Sequence, residues 1–291
     1  ANLKMLMDEV FGEENFVDTI IWKKRYGGGA KEKYLVSLHE YVLVYCKNVS
    51  VLEPIFVDSS EESIKRYYKL KDENFDKRGG YRTHPLEATK SMGDRPNLVF
   101  PIPTPDGKEV MPKRQWLWSK KRVEDALEKG ELAFLKDKNG GIAVHTKQYL
   151  KDEDGNIRRS KAFSLIDDVF TQHGTNEIID LFGKAQVFSF PKPTMFVRRL
   201  IEVGTEKDEE QIILDFFSGS GSLSHAVLSQ NEKDGGKRKF ICVQLPEKLE
   251  EKSEAYKEGF TTISEIAETR IKKVIEKIKA ERDGKIEFES P

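Results

Sequence analysis

QIILDFFSGSGSLSHAVLSQNEKDGGKRKFICVQLPE, residues 211–247, is the stretch whose reading decides the fold. It opens on an apolar, β-branched run, breaks at Ser218-Gly219-Ser220-Gly221-Ser222, continues as a helical segment from Leu223 to Asn231 and returns to a second apolar run, KFICVQLPE. A strand, a helix and a second strand in this order imply parallel pairing through a right-handed crossover, hence an α/β unit. In such sheets ligands bind at the carboxyl ends of the strands, and glycines there let a ligand touch the backbone. A phosphate cradle needs Gly-Lys-Ser/Thr after the loop, but Gly221 is followed by Ser222 and Leu223. A dinucleotide fingerprint wants a third glycine where Ser224 stands. What remains is a nucleoside ligand without phosphate and with a cationic amino-acid end, S-adenosylmethionine. Asp215 at the strand end suits the cation, and Glu247 past the second strand suits ribose hydroxyls. Two plainer readings stay open, Asp215 as a turn cap and Glu247 as a surface acid.

Outward from this stretch, VFSFPKP (187–193) precedes a helix over Thr194–Val203. A long amphipathic helix follows over Ile263–Ala280, with Ile263, Ile266, Ala267, Ile271, Val274, Ile275 and Ile278 on one face. Pro193 also reads as a first-turn helix residue that needs no ligand. At the other end, Leu3, Leu6, Met7 and Val10 recur at helical spacing, with Gly12 as a stop. Two strands follow, FVDTIIW and HEYVLVYCK, separated by KKRYGGGAKEK, too glycine-rich and charged to be pinned by packing, so its order is expected to depend on a ligand. From about residue 50 to 166 the pattern breaks into short strands, turns and charged helical pieces, among them a helix over Lys120–Leu132 that stops at Gly130. Trp116 and Trp118, two apart, predict a strand with both rings on one face, facing either a core or a stacked base. The domain reading is therefore 1–50, 51–165 and 166–291.

Charge is balanced overall, 49 Lys+Arg against 50 Asp+Glu, so the total excludes neither an acidic nor a basic partner. It is segregated, however: residues 61–122 carry 15 basic against 9 acidic residues and residues 204–291 carry 15 against 19. A basic middle attracts a polyanion through its local field, although an ordinary solvated surface has the same composition. Cys46 and Cys242 lie in apolar strand-like runs and read as packed thiols, not as a disulfide or metal ligands. The five histidines have no metal-ligand spacing, so no metal is expected. With no apolar run near the roughly 20 residues that span a bilayer and no signal-like start, the expectation is a soluble cytoplasmic protein without a membrane partner.

Asp-x-Phe-x-Gly-Ser-Gly from Asp215, Phe190-Pro191-Lys192-Pro193 before it, and LMDEVFGEENF, a strand ending in Trp-Lys-Lys and HEYVLVYCK far upstream closely resemble the β-group adenine-N6 DNA methyltransferases, in particular type III modification subunits. The resemblance implies a partial Rossmann-like S-adenosylmethionine-dependent methyltransferase fold with an inserted irregular α+β target-recognition domain over 51–165. It flanks that domain with the remainder of the catalytic half (1–50) and the cofactor-binding half (166–291). Asp215, Phe216, Phe217, Ser218, Gly219, Ser220, Gly221, Lys192, Pro193 and Glu247 would then form the S-adenosylmethionine site, Asp215 toward the methionine end and Glu247 on the ribose. Candidate DNA contacts are Arg78, Arg82, Arg95, Lys113, Arg114, Lys120, Lys121 and Arg122, with Lys23, Lys24 and Arg25 in the glycine-rich loop; each also reads as a plain surface charge.

The family carries an Asp-Pro-Pro-Tyr type tetrad that holds the flipped adenine, and no such tetrad occurs in these 291 residues. The expectation is a chain truncated at its amino terminus, inactive alone, with open strand edges that favour a homodimer. The resemblance further implies double-stranded DNA and a restriction (Res) subunit as partners. A cytosine-N4 methyltransferase and a non-catalytic DNA-binding specificity fragment are the alternatives.

Overall fold

The computed structural model describes residues 2–28, 32–89, 93–137 and 140–289, the side chains of 285–289 excepted. The elements run α1 (Asn2–Phe11), β1 (Phe16–Lys23), β2 (His39–Tyr45), β3 (Phe56–Val57), α2 (Glu61–Tyr67), α3 (Phe75–Arg78), β4 (Tyr81–Pro85), β5 (Ile102–Pro103) and β6 (Glu109–Val110). They continue with α4 (Lys120–Glu128), β7 (Leu132–Lys136), β8 (Ile142–Tyr149), β9 (Ser160–Lys161), β10 (Leu165–Ile166), α5 (Thr171–Phe182) and α6 (Thr194–Gly204). The last are β11 (Ile212–Asp215), α7 (Ser222–Asp234), β12 (Lys239–Cys242), α8 (Glu254–Lys257) and α9 (Ile263–Glu289). Two compact units result, Ala1–Val57 with Lys161–Pro291, and Asp58–Ser160. The sequence reading put the inner boundaries at 51 and 165.

In the first unit, β1 is central to a three-stranded sheet, antiparallel to β2 and parallel to β10. Its inward residues Ile20 and Trp22 are buried with Ile166, Val169 and Phe196, and the Trp22 indole N–H donates to the Val169 carbonyl at 2.6 Å. β11 and β12 pair in parallel with α7 between them, Asp215 lying beside Cys242. Because side chains alternate across a strand, Ile213 and Phe240 pack on Ile201, Ala226 and Val227. On the opposite face Ile212, Leu214, Ile241 and Val243 are exposed.

The second unit is built on the antiparallel sheet β4-β8-β7. Leu86, Ile102, Trp116, Val123, Ala126, Leu132 and Val144 form its core. Two expectations need correction here. The tryptophan pair is not a strand: only Trp116 bridges, to Glu87, because bends flank it. Both rings serve the core, Trp116 buried with its N–H donated to the Phe100 carbonyl and Trp118 packed beside it. The helix expected over Lys120–Leu132 closes at Glu128, with Gly130 at a φ of 66° starting the turn into β7.

The amphipathic helix expected to end at Ala280 runs on to Glu289. Cys46 lies one residue beyond β2 rather than inside it, and neither cysteine is in a disulfide. Part of the glycine-rich loop, residues 29–31, lies outside the described residues. Among the described residues no helix is long and apolar enough to cross a membrane, and no group of three or more His, Cys, Asp and Glu could hold a metal ion.

Candidate functional site

Between β11 and α7 the chain makes a tight bend with two glycines in left-handed conformations, Gly219 at a φ of 51° and Gly221 at 75°. A side chain at Gly221 would meet the Ser224 hydroxyl at 3.0 Å and the Ala267 methyl at 3.4 Å, so the position is closed to other residues by both backbone and space. Four backbone amides of the bend are turned inward. Phe217 N donates to Asp215 Oδ1 (3.1 Å), Ser218 N to the Val243 carbonyl (3.1 Å), Gly219 N to Gln244 Oε1 (2.8 Å) and Gly221 N to the Ser218 carbonyl (2.8 Å). A phosphate cradle needs those N–H groups for the ligand. This bend has already spent them, and no Lys or Arg lies between Asp215 and Ser222. The arrangement fits a ligand held by carboxylates and apolar contact, as S-adenosylmethionine would be.

Asp215 thus does cap the turn with one carboxylate oxygen while staying half-buried at the strand end. Phe216 and Phe217 are exposed, Phe217 to 83%, with their rings 5.0 Å apart. Ser218 and Ser220 are buried, and Glu247 lies exposed beyond β12. Burial first, then the charge of Asp215, pushes the Cys242 thiol above its ordinary range, so it is no nucleophile at neutral pH.

The segment VFSFPKP (187–193) comes to the same bend. The Phe188 ring lies 3.4 Å from where a side chain on Gly219 would begin. Phe190 has a left-handed φ of 57°, rare for a non-glycine residue, and is 92% exposed. Pro193 is buried as the residue that caps α6, one position before the first turn in which the sequence places it. Lys192 points its ammonium to Glu40 Oε2 (2.5 Å) and lies over the Trp22 ring, 5.0 Å from its centre. Lys24 binds the other Glu40 oxygen at 3.0 Å, and the two lysines hold the Glu40 carboxyl below its usual range against the opposing effect of burial.

Beneath the bend lies a polar cluster that no sequence pattern announced. Arg270 of α9 is fully buried. One guanidinium nitrogen donates to Ser220 Oγ and Ser222 Oγ, both at 3.1 Å. The other reaches Glu177 Oε2 (2.8 Å) and Thr194 Oγ1 (3.2 Å), and Nε faces His225 Nδ1 at 3.3 Å. Glu177 also accepts from Thr194 N and Oγ1. Gly174, one turn earlier in α5, lets this happen: a side chain there would meet the Pro191 carbonyl at 2.4 Å. His225 is pushed down to about 3 by burial and then by Arg270, with lesser repulsion from Lys277 and Arg198, so it is neutral and accepts at Nδ1. The available signal was an arginine on the apolar face of α9, four residues after Ile266.

The candidate DNA contacts divide by what already holds them. Arg78 is committed to Glu131 (2.6 Å) and lies over Tyr149, and Lys113 pairs with Asp137 at 3.3 Å. Arg82 is held by Gln148 Oε1 at 2.7 Å, and Arg122 lies over the Trp118 ring. Arg95, Arg114, Lys120 and Lys121 are exposed. Lys23 ends β1 and Arg25 follows, exposed.

A family model described as DNA methylase, covering N6 and N4 enzymes, matches residues 1–258. The StyLTI Mod subunit of a type III restriction-modification enzyme from Salmonella typhimurium is 35% identical over 96% of this chain and 41% of its own length. The type II methyltransferase M.KpnI of Klebsiella pneumoniae is 32% identical over 99% of this chain and 70% of its own length. The EcoPI Mod subunit of Escherichia phage P1 is 29% identical over 94% and 45%. The chain therefore spans less than half the length of the type III subunits it matches.

Proposed function

Since this chain belongs to the N6/N4 DNA methylase family, we propose that it is the cofactor-binding and DNA-recognition part of a site-specific adenine-N6 methyltransferase, a type III modification subunit. The reading is carried by the bend at 215–221, whose inward-spent amides and strand-end carboxylate suit S-adenosylmethionine and not a phosphate ligand. Relatives named as type III Mod subunits support the system assignment.

When bound, S-adenosylmethionine would supply a methyl group to adenine N6 by in-line displacement at its sulfonium. The chain's own residues would bind and orient. Asp215 would face the ammonium end, Glu247 the ribose, and Phe217 would cover apolar parts of the ligand. The irregular unit Asp58–Ser160 would read DNA, with Arg82, Arg95, Arg114, Lys120, Lys121 and Arg122 as its contacts, Arg78 and Lys113 being held in ion pairs. Double-stranded DNA in the bacterial cytoplasm and a restriction subunit are the partners that follow. A homodimer would cover the exposed face of Ile212, Leu214, Ile241 and Val243; light scattering after size exclusion tests it, and a compact monomer at micromolar concentration rejects it.

With no Asp-Pro-Pro-Tyr tetrad in its sequence, the chain alone is expected to bind cofactor without methylating DNA. Calorimetric titration with S-adenosylmethionine tests the reading. Saturable binding that Asp215→Ala weakens by about tenfold or more supports it, that being the scale of one lost charge-assisted contact. Saturable binding of ATP and none of S-adenosylmethionine would overturn it.

A further inference from the structure

The cluster under the bend is more elaborate than packing requires. A buried ion pair is often replaceable by apolar side chains with no loss of stability, so five polar partners around one arginine call for another reason. Arg270 contacts residues from four places: Glu177 in α5, Thr194 at the start of α6, Ser220 in the bend, and Ser222 and His225 in α7. Ser220 and Ser222 flank Gly221, and a single guanidinium nitrogen holds both. Ala267, one turn earlier on the same helix, closes the space around Gly221 from the other side. Thr194 directly follows Lys192-Pro193, and its amide and hydroxyl both go to the carboxylate that Arg270 binds. The two stretches that would line the cofactor, 192–193 and 215–221, are thus tied to each other through one buried fork.

We propose that Arg270, with Glu177 as its counter-ion, is a positioning residue that fixes the glycine bend and the Lys192-Pro193 segment in their cofactor-receiving geometry. The proposal rests on the cofactor reading above. A planar guanidinium with five fixed donors can hold two serines, a threonine and a carboxylate at once, whereas a lysine ammonium has only three donors on a flexible stem. Arg270→Lys therefore keeps the charge and loses the tie.

Three variants of the 291-residue chain test this: Arg270→Lys, Arg270→Met, and Ser220→Ala combined with Ser222→Ala. Circular dichroism first fixes a temperature at which each is fully folded, and two quantities are then read there. One is the amide hydrogen exchange of residues 217–222; the other is the Kd for S-adenosylmethionine. The expected result for the serine pair and for Arg270→Lys is exchange faster by about tenfold or more in that segment, with the β4-β8-β7 sheet unchanged, and a Kd raised to a similar degree. A purely structural role would lower the melting temperature while leaving both readings at their wild-type values in the folded protein. That outcome in the serine pair overturns the proposal even if Arg270→Met fails to fold. If the wild-type chain binds no S-adenosylmethionine while the exchange effect holds, the cofactor reading fails and the proposed purpose falls with it. If the wild type binds and the variants bind equally, only the positioning role falls.

Discussion

Each compact unit contains a buried polar cluster, and the two are built differently. In the unit Asp58–Ser160, Asp72 accepts from Lys147 and Tyr149 at 2.6 Å each, and Arg78 pairs with Glu131 while lying over Tyr149. Those contacts pin a loop and a short helix to the β4-β8-β7 sheet, and both Lys147 and Asp72 keep about a tenth of their side chains in solvent. Around Arg270 the side chain is wholly enclosed, and its donors converge on a bend that bears an expected ligand. The first cluster staples a sheet. The second, on the proposal made above, shapes a site. The contrast teaches that burial of charge is informative about function when the partners include a backbone turn with its own ligand logic.

The largest expected effect separates the two clusters by stability. Arg270→Met takes the donor from buried Ser220 and Ser222 and from His225 at once, while Glu177 keeps its bonds to Thr194, and it is expected to cost about 3–5 kcal/mol in urea unfolding. Lys147→Met leaves Asp72 still bonded to Tyr149 and to the Asn74 amide, and is expected to cost only about 1–3 kcal/mol. Equal losses would remove the distinction between the clusters.

A pH series sharpens the comparison. His225 is held at about 3 in the folded chain, against 6.5 for an ordinary histidine. As pH falls below 6.5 the unfolded chain takes up the proton first, so stability is lost progressively down to about pH 3, at up to about 1.4 kcal/mol per pH unit. Above pH 6.5 both states are neutral and this contribution is flat. Substituting His225→Asn is expected to flatten the acid limb of the stability profile measured by urea unfolding, whereas an unchanged slope would mean that His225 is protonated in the folded state.

Gly174→Ala tests the close approach of α5 to Pro191. The new methyl would fall 2.4 Å from a carbonyl oxygen that cannot swing aside. Overpacking of that kind costs about 1–3 kcal/mol. The melting temperature should drop accordingly, and no change would show that α5 can retreat without disturbing Glu177.

What could be read from the sequence was local. The strand, bend and helix over 211–234 were legible because an apolar, β-branched run, two glycines and a helical run follow one another within a few residues. Asp215 stands where the apolar run ends, as the last residue of β11, whereas Glu247 lies well beyond the end of β12. The Arg270 cluster was not, because its members lie 93, 76, 50, 48 and 45 residues from it and meet only after α5, α6, α7 and α9 pack. Trp116 and Trp118 misled for the opposite reason: spacing by two is necessary for a strand but bends at either side broke the pairing. Among the arginines and lysines, composition could not tell Arg78, consumed by Glu131, from Lys121, left in solvent.

The central claim is that the bend after Leu214 receives S-adenosylmethionine, and a crystal of the chain soaked with that compound tests it most directly. Density for the nucleoside against residues 215–221, with its amino-acid end at Asp215 and its ribose at Glu247, is the predicted result. Well-ordered density at any other place on the chain, with the bend empty, would contradict it.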